Sequence, residues 1–108
     1  MNTQKKLYIS PSLLAADYCE LGSSVQKIEE AGADFLHLDI MDGNFVPNLS
    51  FGPDIISALR PRSGLIFDVH LMINPPERYL ERFISAGADI ITVHREAVND
   101  PTPLLGRI

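Results

Sequence analysis

Histidine and aspartate stand two residues apart in His37-Leu38-Asp39, and the chain turns shortly afterwards through Asp42-Gly43. In an extended strand residues i and i+2 point to the same face, so the imidazole and the carboxylate project together. A second strand-like run, Phe67-Asp68-Val69-His70-Leu71-Met72, repeats the arrangement, with polar groups on one face and apolar groups on the other. Where two such runs are neighbours, two imidazoles and at least one carboxylate converge on one point, as a divalent cation requires.

Strands must carry these groups, and the apolar periodicity supplies them. Leu7 to Ser12 reads as a short first strand, with Leu7 and Ile9 apolar and Pro11 near its end, where a missing N–H is tolerable. A helix follows, with Asp17 as N-cap, Leu21, Val25 and Ile28 at helical spacing, and Gly32 as the stop at about the C′ position. In the next strand, Phe35 to Ile40, Leu36, Leu38 and Ile40 share one face while Phe35, His37 and Asp39 share the other. A ten-residue loop, Met41 to Ser50, leads to a helix over Pro53 to Leu59 whose Ile55, Ile56 and Leu59 form the buried stripe. A third strand, Leu65 to Met72, runs through Asn74-Pro75-Pro76 into a helix carrying Tyr79, Leu80, Phe83 and Ile84 that ends near Gly87. The fourth strand is Ile90 to His94.

Strand and helix in alternation predict an α/β protein with a parallel sheet built from right-handed crossovers. Ala31-Gly32-Ala33-Asp34 recurs as Ala86-Gly87-Ala88-Asp89, closing a helix and opening a strand each time, which fits a repeated architecture. Ser10, Ser12, His37, Asp39, Asp68, His70, Thr92 and His94 then crowd one side of four consecutive strands. A doubly wound sheet needs both faces apolar, so this one-sided polarity favours a closed barrel with chemistry at its carboxyl-terminal mouth. Four strands cannot close an eight-stranded barrel. The expectation is the first half of a (β/α)8 TIM barrel, a single partial domain over 1–108 that breaks off inside a fourth helix begun by Thr102-Pro103-Leu104-Leu105.

At 108 residues there is room for one small core. Nine basic against fourteen acidic residues give a net charge of -5 with no basic cluster, which argues against nucleic acid as a partner. Cys19 is the only cysteine, so no intrachain disulfide can form, and the first residues lack the apolar core of a secretory signal. A cytoplasmic protein is expected. No apolar run approaches the roughly 20 residues needed to span a bilayer, so no membrane partner is expected.

Several motifs occur in order: Pro11-Ser12-Leu13-Leu14-Ala15-Ala16-Asp17, the Ala31-Gly32-Ala33-Asp34 turn, His37-Leu38-Asp39-Ile40-Met41-Asp42-Gly43 with Val46-Pro47-Asn48, Phe51-Gly52-Pro53, His70-Leu71-Met72 and His94-Arg95-Glu96-Ala97. Together they closely resemble ribulose-phosphate 3-epimerase from about Ile9 to Ala97. That resemblance implies a barrel enzyme of the pentose phosphate pathway or carbon fixation that interconverts D-ribulose 5-phosphate and D-xylulose 5-phosphate. It implies one divalent metal ion held by His37, Asp39, His70 and a further aspartate beyond this segment, with zinc, iron(II), manganese and cobalt all compatible with the ligands. It also implies Asp39 as an acid/base, with Ser12, His37, Met41, His70 and Met72 around the phosphosugar.

The chemistry suits these groups. Epimerisation next to a ketone removes a proton from one face and returns one to the other, while a cation stabilises the charge that gathers on oxygen. Met41 and Met72, soft and polarisable, can exclude water beside a flat intermediate. Read alone, Asp68 fits either a partner to a ligand histidine or a polar filler, and His94 either a site residue or an ordinary core histidine. Two alternatives accompany the leading reading: an epimerase of a related phosphosugar such as allulose 6-phosphate, or a half-barrel without independent activity whose open sheet edges favour homo-oligomers or self-association. A decarboxylase relative is disfavoured, because none of Lys5, Lys6 and Lys27 falls at a strand end facing the site.

Overall fold

The computed structural model describes residues 6–108. Three strands, β1 (Phe35–Met41), β2 (Ile66–Met72) and β3 (Ile90–Thr92), form one parallel sheet in the order β1-β2-β3. The helices between and around them are α1 (Leu21–Glu30), α2 (Pro53–Leu59), α3 (Leu80–Ala86) and α4 (Thr102–Arg107). Pairing is in register, with His37 opposite Asp68, Asp39 opposite His70 and Met41 opposite Met72.

Leu7–Ser12 does not become a full strand. It runs beside β1 and makes one parallel bridge, Ser12 to His37, with the Ile9 carbonyl accepting from the Phe35 amide and the Pro11 carbonyl accepting from the His37 amide. Pro11 has no N–H to give back, and the Ile9 amide goes to the Asp34 carboxylate instead, so the ladder runs in one direction only. The expected fourth strand is shorter than its pattern: β3 ends at Thr92, and His94 already caps the 3-10 turn Arg95–Ala97. Asp17 caps as expected, but on a 3-10 turn, Tyr18–Glu20, that leads into α1.

Alternation along the strands separates two faces. Leu36, Leu38 and Ile40 of β1 and Phe67, Val69 and Leu71 of β2 are buried against Val25, Ile56, Leu59 and Phe83 of the helices. Each contributes about 1.5–3 kcal/mol through removal from water. His37, Asp39, Met41, Asp68, His70 and Met72 occupy the other face and are half-buried.

The sequence repeat is a structural repeat. Gly32 (φ 94°) and Gly87 (φ 116°) both end their helices in the left-handed region. Ala33 N–H then reaches back to the Ile28 carbonyl and Ala88 N–H to the Phe83 carbonyl, both at 3.3 Å, the same helix-ending motif twice. One residue on, the Asp34 carboxylate accepts the Ile9 amide at 2.9 Å and the Asp89 carboxylate accepts the Phe67 amide at 2.8 Å. Each aspartate thus clips the start of its own strand to the preceding segment.

Candidate metal centre

Period-2 alternation and in-register pairing bring the predicted groups together at the carboxyl-terminal half of β1 and β2. One oxygen, Asp39 Oδ1, lies 2.9 Å from His37 Nε2 and 3.1 Å from His70 Nδ1. His37, Asp39 and His70 each offer one ligand atom, all within 4.8 Å of one another. The other carboxylate oxygen, Oδ2, accepts a hydrogen bond from Ser12 Oγ at 3.0 Å. Ser12 arrives through its bridge to His37, and its Oγ also accepts the Leu14 amide, which fixes the hydroxyl.

Beyond the donors the network continues. His37 Nδ1 lies 2.9 Å from Asp68 Oδ2, to which Ser10 Oγ donates at 3.4 Å. Burial alone lowers the proton affinity of His37, but the hydrogen bond to Asp68 and the charges of Asp39 and Asp68 outweigh it, and its pKa is raised above 6.5. For Asp39 burial acts upward, yet the Ser12 hydroxyl, the His37 charge and hydrogen bonds from His70 and His37 hold its pKa below 3.8. The site is a carboxylate kept ionised between two imidazoles. Those imidazole nitrogens are bound to the oxygen through protons that a cation can replace, and nitrogen plus carboxylate oxygen is a fitting donor set for zinc, iron(II), manganese or cobalt.

Loops at the strand ends frame this cluster. Asp42 Oδ1 accepts the amides of Asn44 and Phe45, and its Oδ2 accepts the amide of Asn74, which ties the loop after β1 to the loop after β2. Burial acts upward on Asp42, but those backbone bonds together outweigh it and lower its pKa. Ser50 ties the far end of that loop back to the end of β1, donating to the Asp39 carbonyl and accepting from the Met41 amide. Met41 and Met72 form the next registered pair beyond Asp39 and His70 on the same face.

Comparison with known proteins identifies the family. Residues 8–108 match the ribulose-phosphate 3 epimerase family. The chain belongs to that family. A protein named ribulose-phosphate 3-epimerase from Synechocystis sp. is 52% identical over 92 residues, which are 85% of this chain and 40% of that protein. One of the same name from Bacillus subtilis is 52% identical over 89 residues, 82% of this chain and 41% of that protein. The chloroplastic ribulose-5-phosphate-3-epimerase of Arabidopsis thaliana is 49% identical over 94 residues, 87% of this chain and 34% of that protein. The chain therefore spans 34–41% of the length of these relatives.

The family fold is a (β/α)8 barrel, and the three parallel strands with their helices form part of one. Among the described residues, no helix is long and apolar enough to cross a membrane. Within this frame the structure brings Ser12, His37, Asp39 and His70 into one hydrogen-bonded group and sets Met41 and Met72 one pair beyond it. Sequence reasoning left two members of the network undecided. Asp68 is joined directly to His37, and His94 to His70. Ser50 was missed, since a serine ten residues into a loop carries no signal until the turn brings it back to β1.

Proposed function

We propose that this chain carries the metal-binding and proton-abstracting part of a ribulose-phosphate 3-epimerase, which interconverts D-ribulose 5-phosphate and D-xylulose 5-phosphate by inversion at C3. The observation that carries it is the convergence of His37, Asp39 and His70 at the strand ends of a chain in this family. His37, Asp39 and His70 would hold the cation. A divalent cation supplies Lewis-acid stabilisation of the negative charge that gathers on the sugar oxygens as the proton leaves.

This chain's residues serve the proton abstraction, and an acid on the opposite face of the sugar returns a proton to complete the inversion. Asp39, ionised well into the acid range, takes the C3 proton, and the Ser12 hydroxyl on Oδ2 steadies its orientation. Met41 and Met72 flank the cluster on the substrate side and exclude water from it. A turnover assay decides both the cation and the choice between ribulose and allulose phosphate. With the protein, ribulose 5-phosphate and each of zinc, iron(II), manganese and cobalt, xylulose 5-phosphate should form, and Asp39→Asn should lower the rate at least about a hundredfold. Turnover of allulose 6-phosphate alone redirects the substrate; exchange of no C3 proton on either sugar overturns the reading. A cytoplasmic setting accompanies it, supported by the lone and exposed Cys19.

A second reading is favoured by Asp68. Inversion needs a second acid on the opposite face of the sugar, and Asp68 lies on the same sheet face as Asp39, engaged with His37 and Ser10. Leu7, Ile9 and Ile90 at the sheet margins are exposed, Leu7 by 82%. In this reading the chain self-associates through those margins and is inactive by itself. A monodisperse, cooperatively folding monomer in light scattering and denaturation defeats it.

A further inference from the structure

The cluster extends past its three donors to a third imidazole. His70 Nε2 lies 2.7 Å from Nε2 of His94, and the two rings stack with centroids 4.9 Å apart and planes 30° from parallel. Two imidazole nitrogens at that separation share one proton, one donating and the other accepting. His94 is placed by β3, just beyond its last residue, and has a neighbour on two sides. Phe45, from the loop after β1, packs against its ring at 5.2 Å, and Glu96 Oε2 lies 3.6 Å from its Nδ1.

We propose that His94 is a positioning residue for His70, accepting the Nε2 proton so that the Nδ1 lone pair is free for the cation. The inference rests on the metal-centre reading above. A neutral imidazole carries one proton, on Nδ1 or on Nε2, and the hydrogen bond at one nitrogen decides what the other offers. His70 presents Nδ1 to the cluster. When a cation replaces the proton between Nδ1 and Asp39, the one proton left on the neutral ring must sit on Nε2, where an acceptor keeps it, and His94 Nε2 is the atom at that position. For His94 to accept there, its own proton belongs on Nδ1, the side on which the Glu96 carboxylate stands.

His37 shows the same logic with different chemistry. Its Nε2 faces the cluster while its Nδ1 is held by Asp68. Each candidate ligand imidazole therefore has its far nitrogen engaged, by a carboxylate in one case and by an imidazole in the other. Partners of this kind fix ring orientation and tautomer, and removing one typically weakens metal binding about 10–100-fold.

Cobalt(II) titration of the protein and three His94 variants tests this, with affinity read by chelator competition and ligand geometry by the visible absorption spectrum. His94→Phe keeps a ring against Phe45 but offers no acceptor, and should bind roughly 10–100-fold more weakly with an altered spectrum. His94→Asn, whose amide lies short of the Nε2 position, should lose as much. His94→Gln, whose amide oxygen reaches that position, should recover most of the affinity and the original spectrum, a rescue that mere packing does not give. Circular dichroism checks each fold, and the Gln/Asn contrast carries the test where the Phe variant does not fold. Affinities within about twofold of the unchanged protein in both His94→Phe and His94→Asn overturn the inference and leave the metal centre standing. Failure of the unchanged protein to bind cobalt(II) overturns the metal centre, and the inference with it.

Discussion

Replacing Asp39 by asparagine keeps the shape of the side chain and removes its charge, so it separates ligand chemistry from packing. In the metal-free protein the carboxylate accepts from Ser12 Oγ at 3.0 Å, His37 Nε2 at 2.9 Å and His70 Nδ1 at 3.1 Å. Hydrogen bonds to a charged group contribute about 1.5–3 kcal/mol against about 0.5–1.5 for neutral partners, so the two imidazole bonds weaken and the Ser12 bond reverses, the amide N–H donating to Oγ, for a loss of roughly 3 kcal/mol in total. Opposing this, the Asp39 side chain is only 15% exposed, and holding an ionised carboxylate there costs several kcal/mol that the amide does not incur. The two effects are of similar size, and Asp39→Asn should change metal-free stability by less than about 2 kcal/mol in either direction. With a cation at 100 times its Kd the unchanged protein gains about 2.7 kcal/mol. For a chain of this length that is roughly 10–20 °C in Tm. The variant should lose most of that gain. Thermal unfolding followed by circular dichroism, with manganese or zinc added and then chelated, reads both quantities. An Asp39→Asn protein that retains the full metal-dependent rise in Tm refutes the assignment of Asp39 as a ligand.

The pH dependence of the cluster follows from His37 and Asp39. Because the pKa of His37 is raised above 6.5, its contribution to metal-free stability is complete below pH 6.5 and is lost as pH rises through the raised value. The pKa of Asp39 is lowered from 3.8, so its contribution is present above pH 3.8 and is lost as pH falls through the lowered value. Metal-free urea midpoints should therefore peak on the acid side of neutrality, and His37→Gln should flatten the neutral limb; a midpoint that rises steadily from about pH 6 to 8 contradicts this. Cation binding runs the other way, since the imidazole must shed its proton, and calorimetry at pH 6 should show heats that change with the buffer's ionisation enthalpy. The repeated glycines give a structural check. A Cβ on Gly32 meets nothing within 4 Å, whereas one on Gly87 falls 2.6 Å from Arg60 Cγ. Gly32→Ala should cost about 1 kcal/mol from left-handed backbone alone, and Gly87→Ala about 1–3 kcal/mol more through displacement of Arg60 from the Leu65 carbonyl and Asp89; equal urea midpoints for the two variants disprove the Arg60 contribution.

What could be read from the chain was what depends on local period and local backbone. Alternation over Phe35 to Met41 and Phe67 to Met72 named both the buried rows and the polar rows, because side-chain direction in a strand is fixed by the pleat. Gly32 and Gly87 marked helix ends because only glycine takes positive φ there without strain. Illegible features depend on partners distant in the chain. Leu7–Ser12 has strand composition, yet how much of a strand it becomes was decided by Pro11 and by Asp34 taking the Ile9 amide. His94 shared the polar face in the pattern but stayed undecided between site and core, since nothing in Ile90 to Ala97 reveals that its ring meets that of His70. Asp68 and Ser50 gain their partners in the same way, from Cα register and loop closure.

Register is the quantity on which the whole site depends, since a slip of one residue moves every imidazole to the helix-covered face. The repeated aspartates set it. Asp34 clips Ile9, and three residues further along each segment Ser12 meets His37; Asp89 clips Phe67, and three residues further along each strand His70 meets Thr92. Between these two clipped pairs, β1 and β2 are joined without a slip from Phe35 opposite Ile66 to Met41 opposite Met72, which leaves Asp39 beside His70. The helix-ending glycine, the aspartate that follows it and the polar residue three positions on form one unit used twice. The distance from clip to chemistry is short and extended, so little positional error accumulates between them. That is why an unremarkable Ala-Gly-Ala-Asp turn, remote from the candidate metal centre, governs where Ser12, His37, Asp39 and His70 converge.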